Sequence, residues 1–341
     1  MRIKKITSPI ILVALMTLHA CWCKQNKEIQ EAPSSYFDNG EQGIQTGGVK
    51  IISIETPKGK FNVWTKQVGN NPTTKVLLLN GGPGCTHEYF ECFESYLPKE
   101  GIEFIYYDQL ACGNSDNPKD TSLFDLARYV EEVEQLRVAL HLDKNNFYLL
   151  GHSWGGILAM QYALKYQNNL KGLIISNMMA SCPKYGKYAS DVLAKQMDAR
   201  VLDTISAIEK TGDFKNPRYM QLLQTNYYAQ HICRLPEYPE PVKRSFDKLN
   251  GELYTSMQGP SEFGISGKLT NWDVSDKLKN IHVPTLVIGA TYDTMDPEYM
   301  EWMSKEIKGA QFLLCKKGSH MCMYDNQQTY MDGLIRFLKG N

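Results

Sequence analysis

Residues 147–156 read Phe147-Tyr148-Leu149-Leu150-Gly151-His152-Ser153-Trp154-Gly155-Gly156. The first four form a compact apolar run, and residues 154–166 repeat their apolar positions with helical spacing. A serine held in a G-x-S-x-G frame between a buried strand and a helix predicts a nucleophile elbow. The glycines have a physical reason. The strand-to-helix turn is tight, the serine takes a strained backbone conformation that leaves Oγ in the open, and the next helix must pack close. A glycine-rich turn around a merely structural serine is the competing reading.

Outward from this stretch the chain alternates. Residues 49–55 and 60–68 are β-rich and separated by Pro57-Lys58-Gly59, which predicts an antiparallel hairpin. The apolar runs at 75–79, 102–107, 146–150 and 173–176 predict strands buried on both faces. A helical pattern over 123–140 brings Leu126, Val130, Val133 and Leu136 or Arg137 near one face. The rhythm stops near Ser181 and resumes near Pro284, with strands expected at 283–289 and 311–315 and helices at 297–307 and 326–338. The intervening residues are rich in Tyr, Met, Lys and Gln and lack strand runs. The expected architecture is an α/β core over 47–180 and 268–341, its mostly parallel sheet flanked by helices on both faces, with a helical cap inserted over 181–267.

Serine alone is a poor nucleophile, so a base and an acid that orients the base must follow it in the chain. His320 lies in Lys317-Gly318-Ser319-His320, just past the last expected strand. The other six histidines, at 19, 87, 141, 152, 231 and 282, do not combine a post-strand loop with that chain order. Asp293 follows the apolar run 286–290, at the sheet edge where active-site groups of open α/β sheets gather. Asp296 is its rival and could instead cap the helix that begins near Pro297. For the oxyanion, the backbone N–H of Trp154 is one expected donor. Asn80-Gly81-Gly82-Pro83-Gly84 supplies the other, assigned to Gly82, and Gly81 is expected to contact substrate.

These motifs together resemble the proline iminopeptidase and tricorn-interacting aminopeptidase family of α/β-hydrolases. Gly81-Gly82-Pro83-Gly84 is similar to the family's HGGPG, with Asn80 in place of the histidine. Residues 107–116 resemble its YDQ-x-G-x-G-x-S segment, with Ala111 where glycine is usual. Gly259-Pro260-Ser261-Glu262-Phe263 and Asn271-Trp272-Asp273 resemble the end of its cap, and the resemblance spans 51–338. It implies an α/β-hydrolase fold and removal of an N-terminal residue, often proline, from short peptides. An exopeptidase must hold the free α-ammonium, which calls for a carboxylate at the pocket edge. The resemblance implies that role for Glu262, with Glu237 in Leu235-Pro236-Glu237-Tyr238-Pro239 a second candidate. Trp154 is a further candidate for the pocket lining. Two other readings use the same residues: an esterase, lactonase or amidase with a non-peptide substrate, and a non-catalytic protein whose cap pocket binds a ligand.

Arg2, Lys4 and Lys5 precede a short apolar stretch over 10–18, which reads as a signal peptide over 1–20. Leu18-His19-Ala20-Cys21 resembles a bacterial lipobox, so Cys21 is expected to carry the lipid and 21–46 to act as a tether. The expected location is therefore the cell envelope, anchored to the membrane. Cleavage near Ala20 to give a soluble periplasmic protein is the alternative. Lys+Arg and Asp+Glu both number 37, which gives no reason to expect a nucleic-acid partner. Nine scattered cysteines, without CxxC or metal-ligand spacing, predict mostly buried thiols and neither metal nor cofactor.

Overall fold

The computed structural model describes residues 48–340. The expected signal peptide over 1–20, the tether over 21–46 and Cys21 lie outside the described residues. Strands β1 (Val49–Thr56) and β2 (Gly59–Val68) pair as an antiparallel hairpin. They are followed by β3 (Lys75–Leu79), β4 (Glu103–Asp108), β5 (Phe147–His152), β6 (Gly172–Ser176), β7 (Thr285–Ala290) and β8 (Gln311–Cys315). All eight join one sheet in the order β1-β2-β4-β3-β5-β6-β7-β8. Strand β2 runs antiparallel to β4, and every pairing from β4 to β8 is parallel. This is the mostly parallel α/β sheet that the alternating pattern predicts.

Side chains alternate between two apolar layers because the strand period is two. Leu77 and Leu79 face a layer that includes Val133 of α1 (Leu126–Ala139) and Ile157 of α2 (Trp154–Tyr166). Val76 and Leu78 face the opposite layer, with Phe93 and Tyr330. Burial on both faces is why these strands read as unbroken apolar runs. Helix α1 begins three residues later than its apolar spacing predicts, because the Asp125 carboxylate accepts the Arg128 N–H at 3.0 Å and caps it. Strand β5 runs on to His152, so Ser153 follows the strand end directly. The reading also assigned no element to residues 85–101. They hold a 3₁₀ helix, His87–Ser95, that buries Tyr89, Phe90 and Phe93; its three-residue period matches neither the helix nor the strand template.

Between β6 and β7 the chain is helical: α3 (Cys182–Tyr188), α4 (Ala199–Thr211), α5 (Pro217–Leu223), α6 (Ala229–His231), α7 (Glu240–Asp247) and α8 (Gly251–Met257). We call this excursion the cap. Its two ends are stapled to each other, with Ser181 Oγ donating to Asp273 Oδ2 at 2.6 Å and Cys182 N–H to Trp272 O at 2.9 Å. Helices α9 (Pro297–Glu306), α10 (Cys322–Asp325) and α11 (Gln327–Lys339) complete the chain. The seven cysteines among the described residues are all unpaired.

Gly155 lies where α2 crosses β3, and a Cβ there would overlap the Leu79 carbonyl oxygen. At Gly186, in α3, a Cβ would meet no atom within 4 Å. Gly155→Ala is therefore expected to lose about 3 kcal/mol or more of stability. Gly186→Ala should gain up to about 1 kcal/mol. Chemical denaturation of the two variants beside the parent protein checks the contrast.

Candidate active site

Ser153 occupies the turn between β5 and α2 with φ 56° and ψ −127°. Such a conformation is unfavourable for a residue with a Cβ and persists only where the surroundings over-determine it. Two contacts do so here. Ser153 N–H donates to Ser176 O at 3.0 Å, and Gly151 and Gly155 let strand and helix meet without side chains between them. Ser153 retains 7% exposure and lines a cavity of about 360 Å³. His320 lines the same cavity.

His320 Nδ1 lies 2.7 Å from Asp293 Oδ1. A carboxylate can only accept, so Nδ1 carries the proton and Nε2 remains the basic nitrogen. Burial alone would lower the His320 pKa. The Asp293 carboxylate and its hydrogen bond, followed by the charge of Glu262, outweigh that and hold it above the ordinary imidazole range. Asp293 is held in turn by the Met295 N–H at 3.2 Å, the Thr294 hydroxyl at 3.3 Å and Asn177 Nδ2 at 2.6 Å. Asp296, the rival, accepts the Glu298 N–H at 2.9 Å as the N-cap of α9. Asn177 escaped the sequence reading. It follows β6 directly, at φ 53°, so the sheet-edge rule that pointed to Asp293 would also have found it. Ser153 Oγ and His320 share no hydrogen bond in this structure, and in unliganded enzymes that contact is often loose.

Gly82 and Gly81 divide the work of the loop after β3. The Gly81 N–H is taken by the Tyr89 hydroxyl at 2.6 Å, whereas the Gly82 N–H has no partner among the described residues and lines the cavity. A Cβ on Gly81 would press on the Ser153 side chain at 2.9 Å, so glycine there permits the close approach. Asn80 Nδ2 donates to Cys85 O and thereby closes the loop. Gln109 Nε2 donates to Asn80 O at 3.1 Å and Oδ1 at 3.2 Å. Its Oε1 accepts the Trp154 indole N–H at 2.8 Å. The Trp154 ring thus packs under the loop, against Tyr129, and does not line the cavity. Its backbone N–H opens α2 and is among the donors a helix leaves without an internal partner. Ala111 has φ 72°, a left-handed conformation that accounts for the glycine usual at this position of the motif.

Glu262 lines the cavity from the cap side. Three tyrosines position it. Tyr254 Oη donates to Glu262 Oε1 at 2.6 Å, Tyr185 Oη to its carbonyl at 2.7 Å, and Tyr228 Oη accepts its N–H at 3.0 Å. Burial raises the Glu262 pKa above the usual carboxylate range, and the neighbouring His320 and the Tyr254 hydrogen bond only partly counter it. Among the described residues no lysine or arginine lines the cavity; its walls include Ile232, Phe246, Leu249 and Met321. Glu237 departs from expectation. It is exposed on the Leu235–Tyr238 turn and lines no part of the cavity, because Leu235 and Tyr238 turn inward there and leave it facing solvent. The tyrosines sit in a stretch whose aromatic richness was visible, but nothing in its spacing joined Tyr185, Tyr228 and Tyr254 to one glutamate.

Residues 74–327 match the family model described as alpha/beta hydrolase fold. A proline iminopeptidase of Flavobacterium johnsoniae is 57% identical over 288 residues, which is 84% of this chain and 97% of that protein. One of Chitinophaga pinensis is 57% identical over 291 residues, covering 85% and 97% respectively. The crystal structure of a proline iminopeptidase from Mycobacterium smegmatis superposes with a TM-score of 0.75 at 27% identity, over 84% of this chain and 98% of that one. The chain belongs to the proline iminopeptidase family of α/β-hydrolases.

Proposed function

We propose that the protein is a serine aminopeptidase that releases an N-terminal proline, or another small apolar residue, from short peptides. One observation carries this reading: a single carboxylate, Glu262, faces a largely apolar cavity shared with Ser153 and His320, in which no described lysine or arginine stands. A half-buried carboxylate without a cation is stabilised by a ligand that brings one, and a peptide's α-ammonium does so. The apolar wall then takes the side chain of the same residue. A neutral ester gains nothing from Glu262.

In this reading Ser153 Oγ attacks the carbonyl of the first peptide bond while His320 Nε2 takes its proton. Asp293 holds the imidazole in the required tautomer and stabilises the imidazolium. The N–H groups of Trp154 and Gly82 receive the oxyanion. His320 then protonates the departing amine, and water, activated by the same imidazole, hydrolyses the acyl-enzyme. Charge on Glu262 and Asp293 favours the imidazolium that each step passes through.

The N-terminal sequence supports an envelope location, with Cys21 acylated after removal of 1–20 and the catalytic domain displayed on the tether over 21–46. Metabolic labelling with an alkyne fatty acid should mark the protein in its native host, and Cys21→Ser should abolish the label. Persistence of the label in that variant would rule out Cys21 as the anchor.

Free aminoacyl-β-naphthylamides, Pro and Ala among them, should be cleaved, and acetylation of the amine or Ser153→Ala should abolish cleavage. Glu262→Gln should lower kcat/KM on the free amides about a hundredfold or more, on the order of 3 kcal/mol, while Ser153-dependent turnover of a neutral ester persists. Ester turnover without any amidase activity in the parent protein would instead favour the esterase reading. The acid limb of the pH profile should lie above an ordinary imidazole value, because activity is lost as pH falls through the raised His320 pKa. Removing the Glu262 charge destabilises the imidazolium, so in Glu262→Gln that limb, followed on the ester, should move to lower pH.

A further inference from the structure

A glycine pair makes the oxyanion loop permissive in conformation, so something outside it must hold the Gly82 N–H on target. The peptide plane that carries this N–H also carries the Gly81 carbonyl, which accepts the Cys85 N–H at 3.3 Å. On the other side of Gly81, its own N–H donates to the Tyr89 hydroxyl at 2.6 Å. Tyr89 comes from the 3₁₀ helix and is buried, with its ring 4.3 Å from that of Phe90 and 5.4 Å from that of His152.

The chain of contacts continues. Tyr89 Oη lies 3.3 Å from His152 Nδ1, and His152 Nε2 lies 2.9 Å from the His320 carbonyl oxygen. A carbonyl only accepts, so the His152 proton resides on Nε2 and Nδ1 offers its lone pair. The Tyr89 proton therefore points to Nδ1, which leaves the hydroxyl oxygen to receive the Gly81 N–H. All donors and acceptors run in one direction, from Gly81 through Tyr89 and His152 to the backbone of His320. Burial, and then the neighbouring His320, push the His152 pKa down to about 3, so this ring stays neutral where the enzyme works and the polarity of the chain is constant.

We propose that Tyr89 and His152 are positioning residues for hydrolysis, forming a brace that sets the oxyanion loop and the His320 backbone relative to the nucleophile between them. The proposal rests on the reading of Ser153 as nucleophile and Gly82 as oxyanion donor. Neither Tyr89 nor His152 exchanges a proton with substrate. Their effect falls on the transition state, where the oxyanion first draws on Gly82, and not on ground-state binding, which Glu262 and the apolar wall supply.

The test measures kcat and KM on a free aminoacyl-β-naphthylamide for Tyr89→Phe, His152→Phe and His152→Asn, with melting temperature alongside. Removing a true oxyanion donor costs about 10²–10³ in kcat, so displacing one by loss of its brace is expected to lower kcat roughly tenfold to a hundredfold. KM should barely change. His152→Asn keeps one donor and one acceptor and should lose less than His152→Phe, which keeps the ring and no nitrogen. An unchanged kcat in Tyr89→Phe overturns the brace, as does a KM rise and a falling melting temperature that match the loss of rate. If Tyr89→Phe does not fold, the comparison of the two His152 variants decides alone: equal losses overturn the proposal. Activity that survives Ser153→Ala would instead defeat the underlying reading, and that control separates the two failures.

Discussion

The close crossing of α2 over the ends of β3 and β5 is the constraint on which the rest of this molecule depends. With no Cβ at Gly151 or Gly155, the helix sits low enough on the sheet for the glycine loop after β3 to close on Ser153. Ser153 is then forced into its left-handed conformation, and two segments distant in sequence, the loop after β3 and the start of α2, meet around it. The strain at one residue is offset by the tight packing of an entire β-α unit. Any enlargement at this crossing would lose the geometry of the site before it lost the fold's topology.

Around that crossing, polarity is distributed with economy. The cavity presents largely apolar walls, with Ser153, His320 and the single described carboxylate, Glu262, among its polar lining. The amides beside the glycine loop are occupied: Asn80 Nδ2 closes the loop, Gln109 Nε2 donates to Asn80, and the Trp154 indole N–H donates to Gln109. Glu262 is held at its backbone and its carboxylate by three tyrosines, which keeps the carboxylate at a fixed place in the cavity wall. Fixed dipoles and charges of this kind need no reorganisation during reaction.

Ser153, His320 and Asp293 were legible as a candidate triad because each stands just past the end of a strand, and a strand buried on both faces writes itself as an apolar run. The hairpin was readable from the Pro57-Lys58-Gly59 break between two β-rich runs, and the mostly parallel sheet from the alternation of apolar runs with helical patterns. Glu262 was legible only through resemblance, since one glutamate in a helical stretch has no local signature, and the weaker candidate Glu237 is left facing solvent because Leu235 and Tyr238 turn inward beside it. The 3₁₀ helix over 87–95 left no periodic trace, and with it Tyr89 was invisible. Asn177 was overlooked because amides rarely announce themselves, although its place after β6 obeys the same rule as Asp293.

The cap is joined to the core at more than its stapled ends. The His320 N–H donates to His231 O at 2.9 Å, and the Met321 N–H to Ile232 O at 2.8 Å, so the segment carrying the base is bonded to cap backbone like one rung of a sheet. His231 Nδ1 also meets the Tyr292 carbonyl at 2.9 Å, beside Asp293. Insertions in α/β enzymes are commonly pictured as interchangeable modules that evolution or an engineer can graft at will. Here the graft boundary does not coincide with the chain boundary: a foreign cap spliced in at residues 181 and 267 would remove the backbone partners of the catalytic loop. An exchange that keeps residues 231–232 and replaces only the rest of the cap would leave those two bonds in place.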